Sequence, residues 1–404
     1  MKIHTSCVGD TVFTVARKYG ASPIKILEDN GILGNERLTV GEELLILTPT
    51  RTYTARGGDS LERICRRFGV KKQTVLAGNP ALGGVDSLYP GQVLSLKYDK
   101  PHGGMVAANG YVYPECPEEK LIFSLPYLTY VTVSAATTDT RGIRLLFDDR
   151  RVLRICKDAG KTVLFRVVGK NTDDGFFSDK ERQKNFLEKL AAFAKERGYD
   201  GITLGACRMA KEAPDAYLDF VLTGRKVFLG MDMLLFTETD GNVPCSAVSD
   251  LADGNVLLYE KCPLPEIPSS EEGEGKVIAE YAKTYESSRT FLDISPFGFD
   301  TDVPITRDTF YALSYKYNTP ISYDEKTKIC TLTYPKFSFG KRQDRTVRFD
   351  SLHNIKAKLD LADEFGYMGI SFDIMRTPVP YWMMFTVSFS PVDYAFAVGE
   401  DVRG

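Results

Sequence analysis

Residues 1–100 are two copies of one pattern. Gly9-Asp10-Thr11 returns as Gly58-Asp59-Ser60, and Ala16-Arg17-Lys18-Tyr19-Gly20 returns as Cys65-Arg66-Arg67-Phe68-Gly69, both 49 positions on. Asn30 returns as Asn79 at the same offset. Leu38-Thr39-Val40-Gly41 returns as Leu88-Tyr89-Pro90-Gly91 at 50, so one residue has been inserted. Self-similarity at a fixed period marks one supersecondary unit used twice.

Each copy reads strand, helix, helix, strand. Thr5–Val8 and Thr52–Ala55 are expected as opening strands, Glu43–Leu47 and Val93–Leu96 as closing ones. Asp10 and Asp59 each follow a glycine and suit a turn and a helix N-cap. The apolar stripe Val12, Val15, Ala16, Tyr19, and its counterpart Leu61, Ile64, Cys65, Phe68, has helical spacing.

Val8-Gly9-Asp10-Thr11-Val12, Lys18-Tyr19-Gly20, Leu27-Glu28-Asp29-Asn30 and Leu38-Thr39-Val40-Gly41 occur in the order and spacing of the LysM module, which each copy resembles over nearly all of residues 2–97. The resemblance implies binding of N-acetylglucosamine glycans, in peptidoglycan or chitin. The groove it implies lies between two loops: Gly9, Asp10, Thr11, Val12 with Asn30, Gly31, Ile32, Leu33, and in the second copy Gly58, Asp59, Ser60, Leu61 with Asn79, Pro80, Ala81, Leu82. As plain chemistry the same Asp and Asn residues serve equally well as turn and cap residues.

Beyond Pro101-His102-Gly103-Gly104 the pattern changes. Strand-like runs are expected at Met105–Val112, Tyr130–Ala136, Thr162–Gly169, Asp200–Ala206, Val227–Phe236, Asn255–Glu260, Thr290–Ser295 and Gly366–Ile374. They alternate with helical stretches such as Asp148–Ala159, Asp179–Gly198, Gly273–Glu286 and Leu352–Glu364. Eight such units predict an α/β fold, a (β/α)8 TIM barrel. Ile329–Tyr334 alternates, and Phe337–Gly340 with Arg345–Phe349 reads as a hairpin around Lys341–Asp344. The chain thus divides into modules at 2–48 and 51–98, a linker at 99–104, and a barrel at 105–398 with a β-rich insertion at about 300–350.

Four stretches of the barrel resemble family 18 glycoside hydrolases, in particular the LysM-linked spore cortex and germination glucosaminidases of endospore formers. They are Ala108-Asn109-Gly110-Tyr111-Val112-Tyr113-Pro114, Leu125-Pro126-Tyr127-Leu128-Thr129-Tyr130, Asn171 through Ser178, and Phe349 through Lys358 with Gly366 through Ser371. The resemblance implies a catalytic signature Asp-Gly-x-Asp-x-Asp-x-Glu at the end of the fourth strand. This chain reads Asp200-Gly201-Ile202-Thr203-Leu204-Gly205-Ala206-Cys207. Alternate strand residues share a face, so Thr203, Gly205 and Cys207 stand where two aspartates and the acid are implied. The family mechanism uses the substrate's own acetamide as nucleophile. Cys207 is a poor acid for the leaving oxygen, and Gly205 has no side chain to hold the acetamide. The implied stacking Trp is Asp373, and the implied Tyr-Asp of the sixth strand is Tyr259-Glu260. Catalytic residues are therefore expected to be absent, with Glu260 and Asp373 as a possible relocated pair against the plainer reading of a solvated rim paired to Arg376. Asn109, Tyr111, Tyr259 and Asp373 are expected to line the barrel cleft.

The remaining bulk properties exclude more than they assign. Net charge is −3, divided as +4 over residues 1–100 and −7 over the rest, which gives no nucleic-acid footprint. The eight cysteines form no CxxC pair and the three histidines are dispersed, so no metal site or cofactor is expected and the thiols read as reduced. No secretory leader and no apolar run of membrane-spanning length is evident, so synthesis in the cytoplasm and deposition on the spore envelope, cortex or cell wall are expected. Peptidoglycan or another N-acetylglucosamine polymer is the expected partner, with spore envelope proteins as a second class.

Overall fold

A computed structural model describes residues 1–32, 38–99, 105–139, 142–169, 174–205, 209, 212–239, 248, 250–257, 289–296, 298–300, 303–324, 328–338 and 341–391. The two front modules have the same build. Lys2–Thr5 pairs antiparallel with Glu43–Ile46, and Arg51–Thr54 with Val93–Lys97. The first opening strand therefore precedes the predicted Thr5–Val8. Cys7 to Asp10 instead form a turn closed by the Asp10 amide on the Cys7 carbonyl at 3.1 Å, with Gly9 at φ 88°. Helices Val12–Tyr19 and Pro23–Asn30 fill the first module, and Leu61–Phe68 and Lys72–Ala77 the second. Val12, Val15, Ala16 and Ile26 form one small core, Leu61, Ile64, Cys65 and Val75 the other.

The barrel closes with eight parallel strands. In order they are Met105–Val112, Tyr130–Asp139, Thr162–Gly169, Gly201–Leu204, Leu234–Thr239, Gly254–Leu257, Thr290–Asp293 and Gly369–Asp373, and the last pairs with the first. The fifth differs from its prediction: Val227 to Leu229 end the helix Pro214–Leu229, and the strand begins at Leu234. Residues 227–236 are mostly apolar, and such a run does not by itself separate a helix end from a strand. The predicted helix Gly273–Glu286 lies outside the described residues.

Ala107, Tyr111, Tyr130, Leu164, Phe236, Val256 and Phe291 fill the barrel interior. Glycines make room for the rings. A Cβ on Gly369 would lie 2.3 Å from the Phe291 ring, and one on Gly254 would lie 2.7 Å from Phe236. Large beside small at one level is how a closed eight-stranded barrel fills its centre.

Between the seventh strand and the helix Leu352–Glu364 sit a five-stranded antiparallel sheet and the helix Arg307–Tyr317. Ile329–Ser338 and Lys341–Asp350 pair along their whole length, from Ile329 with Asp350 to Ser338 with Lys341. Lys341–Asp344, expected as the turn of the hairpin, therefore belong to its second strand.

The modules dock on this frame. Leu45, Leu47, Ala77 and Tyr98 are buried in the same core as the barrel's outer residues. Arg307 donates to the Glu43 carbonyl at 3.1 Å and the Asn30 carbonyl at 3.4 Å. Lys25 joins the two modules, reaching Asp29 at 2.6 Å and the Gly78 carbonyl at 3.1 Å. No helix among the described residues is long and apolar enough to cross a membrane.

Candidate functional site

The loop after each opening strand is pinned by its aspartate. Asp10 accepts the Cys7 amide at 2.8 Å and faces His4 Nε2 at 3.0 Å. Asp59 accepts the Arg56 amide at 2.8 Å and the Tyr53 hydroxyl at 2.7 Å. These bonds hold both carboxyls below the usual carboxylate range, through the amide first in each case. Neither aspartate is the predicted N-cap. That role falls to the next residue: Thr11 accepts the Thr14 amide at 3.1 Å, and Ser60 the Arg63 amide at 3.3 Å. A carboxylate turned back onto its own loop cannot also reach forward to the helix.

The paired asparagines are interior struts. Asn30 donates to the Ile26 and Leu45 carbonyls, each at 2.8 Å, and accepts the Leu45 amide at 2.7 Å. Asn79 repeats this with Val75, Ser95 and the Ser95 amide at 2.7, 2.8 and 2.7 Å. Val12, Leu61, Pro80 and Leu82 are buried as well. Gly9, Gly31, Gly58, Ser60 and Ala81 are exposed, Asp10, Thr11, Ile32 and Asp59 half-buried. Leu33 lies outside the described residues. What these loops offer a ligand is mostly backbone and small side chains.

At the barrel mouth, Thr203 stands in register between Arg166 and Phe236, on the inward face. Its hydroxyl is buried with no hydrogen-bond partner among the described residues. Gly205 follows, its amide on the Val167 carbonyl at 2.9 Å. Cys207 lies outside the described residues, as do Tyr259 and Glu260. Asp200 sits at the opposite end of the strand. It accepts the Val163 amide at 2.7 Å and pairs with Lys157 at 2.5 Å, tying strand four to strand three.

Two interior residues went unpredicted. Arg166 of the third strand grips Glu238 of the fifth with two bonds, 2.6 and 2.9 Å. Tyr111 donates to the same carboxylate at 2.9 Å. Arg166 also reaches the Ser134 hydroxyl at 3.2 Å and lies over the Tyr111 and Tyr113 rings. Burial opposes the guanidinium charge, but the Glu238 carboxylate more than restores it and Arg166 stays a fixed cation. A single Arg in the apolar run Val163–Val167 and a single Glu two residues past Phe236 were the available signal. Ending strand five at Phe236 hid it.

Of the expected cleft residues, Tyr111 does point inward, spent on Glu238. Asn109 is fully buried, bonded to Ser371 at 3.1 Å and Thr132 at 2.8 Å, and so braces strands one, two and eight. Asp373 does face Arg376, at 3.4 Å, but it is not on a solvated rim. It is buried and caps the loop after strand eight, accepting the Met375 and Arg376 amides at 2.9 and 3.1 Å. Ser295 joins it to Asp293: the hydroxyl lies 2.6 Å from Asp293 and accepts the Asp373 amide at 2.7 Å. Among the described residues no group of three or more His, Cys, Asp or Glu could hold a metal ion.

The LysM domain profile matches residues 8–46 and 53–97. Over 96% of this chain and 99% of its own, the Cortical fragment-lytic enzyme of Bacillus anthracis is 25% identical. The Bacillus cereus spore cortex-lytic enzyme SleL superposes with a TM-score of 0.71 at 21% identity, covering 97% of this chain and 99% of its own. A chitinase from Chromobacterium violaceum covers 70% of this chain and 98% of its own, with a TM-score of 0.60 at 14% identity. The chain carries two LysM domains ahead of a barrel of the chitinase fold, and it is similar along nearly its full length to spore cortex-lytic proteins.

Proposed function

We propose that this protein binds peptidoglycan or a related N-acetylglucosamine polymer through its LysM domains, on the spore envelope or cell wall, and that its barrel does not hydrolyse the glycan. One observation carries the second half. Where strand four would supply carboxylates it presents Thr203 and Gly205, and the nearby Glu238 is held by Arg166 and Tyr111. A general acid must aim a transferable proton at the leaving oxygen. Glu238 is instead an acceptor clamped from two sides, and Gly205 offers no group to hold an acetamide. The same barrel remains a scaffold on which the modules are fixed.

The alternative is an active cortex glycosidase with relocated carboxylates. Asp293 and Asp373, joined through Ser295 at the ends of strands seven and eight, are the observation in its favour. The discriminating experiment uses the full chain, because separated modules would expose Leu45, Leu47, Ala77 and Tyr98. Sedimentation with insoluble peptidoglycan is expected, with no release of reducing ends from cortex fragments or from a chromogenic N-acetylglucosaminide. Cleavage that is lost in Asp373→Asn or Glu260→Gln would replace this reading with the alternative. Failure to sediment would remove the binding half. A fluorescent fusion is expected to gather on the forespore, and a diffuse signal throughout sporulation would count against that location.

A further inference from the structure

A cleft of about 560 Å³ opens where both LysM modules meet the barrel. Its size falls within the roughly 300–1,000 Å³ of small-molecule sites. Gly31 contributes one wall from the loop after the first module's second helix, and Val85 another from the corresponding region of the second. The barrel supplies the floor: Phe123, Val379 and the only tryptophan of the chain, Trp382. Two donors belong to it. Arg307 is buried and spends two bonds on backbone carbonyls, of its five N–H groups. The Thr377 hydroxyl is buried without a hydrogen-bond partner among the described residues, while the Thr377 carbonyl is fixed by Trp382 Nε1 at 3.3 Å. A buried hydroxyl left unpaired costs about 1–3 kcal/mol, so a ligand acceptor there would recover that cost.

We infer that this cleft binds an acetamido-sugar unit of the glycan; it borders the expected groove of the first module, sharing Asn30 and Gly31 with it, and takes the rest of its lining from the second module and the barrel. Its charged lining is balanced, Glu119 and Asp308 against Lys120 and Arg307. A neutral ligand suits that balance better than a phosphate or carboxylate. An acetamide supplies a carbonyl for the Thr377 and Arg307 donors and a methyl for the apolar floor. The C–H face of the ring packs on the half-buried Phe123, with Trp382 buried behind the lining against Tyr127 and Phe372. Walls from both modules put the cleft on the path of a glycan passing from one loop to the other. The inference rests on the proposed glycan binding by the front modules.

Trp382 makes the test direct. The full-length protein is titrated with the N-acetylglucosamine tetramer, exciting at the red edge where tyrosine does not absorb, with calorimetry in parallel. A saturable change in Trp382 emission is expected, and none with the glucose tetramer, which lacks the acetamide. Val85→Tyr, which fills the mouth, and Thr377→Val, which removes the unpaired hydroxyl without changing shape, should each weaken the fluorescence-detected binding about fivefold. Melting temperatures establish that both variants fold. Calorimetric binding with a silent Trp382, an equal response to the glucose tetramer, or variants that bind like the parent would overturn the cleft and leave glycan binding by the modules intact. No heat with the tetramer and no retention on peptidoglycan would overturn that reading, and the cleft with it.

Discussion

The Glu43 carboxylate of the first LysM module lies 2.6 Å from Nδ1 of His353, on the barrel helix Leu352–Glu364 and 310 positions later in the chain. Its other oxygen accepts the amide of Leu352, the first residue of that helix, where the helix dipole favours a negative charge. Glu43 is almost fully buried. Glu43→Ala should therefore destabilise the whole chain, by about 1–3 kcal/mol for the orphaned amide. Urea unfolding followed by circular dichroism would measure it. A loss confined to the front modules, with the barrel transition unmoved, would contradict the coupling.

Arg166 and Glu238 should show strong mutual dependence. Removing one partner leaves a buried charge unpaired, a loss of about 3–5 kcal/mol. Glu238→Gln and Arg166→Met should each lower the unfolding midpoint sharply, and the double variant by less than their sum. Additive losses in a double-mutant cycle would show that the two residues act independently.

The strand-four site should resist simple repair. Restoring the acid by Cys207→Glu should give no N-acetylglucosaminidase activity. Gly205→Asp with Cys207→Glu should give a trace, because Asp373 caps the loop after strand eight and leaves the sugar no apolar floor there. A general acid accounts for about 10²–10⁴ in rate, and only for a substrate held in the reactive geometry. Robust turnover by the double variant on a fluorogenic substrate would mean that the rest of the site is intact.

Asp29 gives the junction of modules and barrel a pH dependence. Burial raises its carboxyl to about 6, with Lys25 opposing the rise and Glu28 adding slightly to it. Tyr98 and Tyr127 also feel its charge. The folded chain takes up this proton at higher pH than the unfolded chain, whose carboxyl titrates near 3.8. Its contribution to stability therefore grows as pH falls through 6 towards 4, and is lost as pH rises through the same window. Relative to Asp29→Asn, the parent should gain melting temperature between pH 7 and pH 4.5. A constant difference across that range would show that Asp29 does not titrate there.

Asn30→Ala and Asn79→Ala should lose stability before they lose binding. Each asparagine makes three bonds to backbone, and stranding those groups costs about 1–3 kcal/mol per unmet group. At a temperature where both variants remain folded, retention on peptidoglycan should match the parent. A binding loss without a stability loss would assign these side chains to the ligand.

The repeat and the barrel were legible because each rests on local periodicity. Val12–Val15–Ala16 and Leu61–Ile64–Cys65 follow helical spacing, and Met105–Val112 and Thr162–Gly169 end where their apolar runs end. Asp10 and Asp59 hold the expected turns but not the expected caps, because turn and cap draw on the same residue types and only the direction of the carboxylate decides between them. That carboxylates are implied in strand four came from the resemblance, and that Thr203 and Gly205 share its inward face could be read from alternation. The Arg166–Glu238 pair could not, since it joins residues 72 apart through the interior of a closed barrel. Glu43 looked like an ordinary strand residue, because nothing local to it encodes the helix that it meets.

Lys25 on the Gly78 carbonyl, with both modules seated on the barrel, has a consequence for avidity. Two sites on a flexible tether sample many separations, and their effective concentration follows the length of the tether. Here the separation is set by packed surfaces, so the gain from double engagement depends on the spacing of sugars along or between strands. An oligosaccharide too short to span both modules would be held with single-site affinity, however concentrated the protein. A polymer whose repeat matches the fixed gap would be held by both at once, which makes the assembly a caliper for the architecture of the glycan.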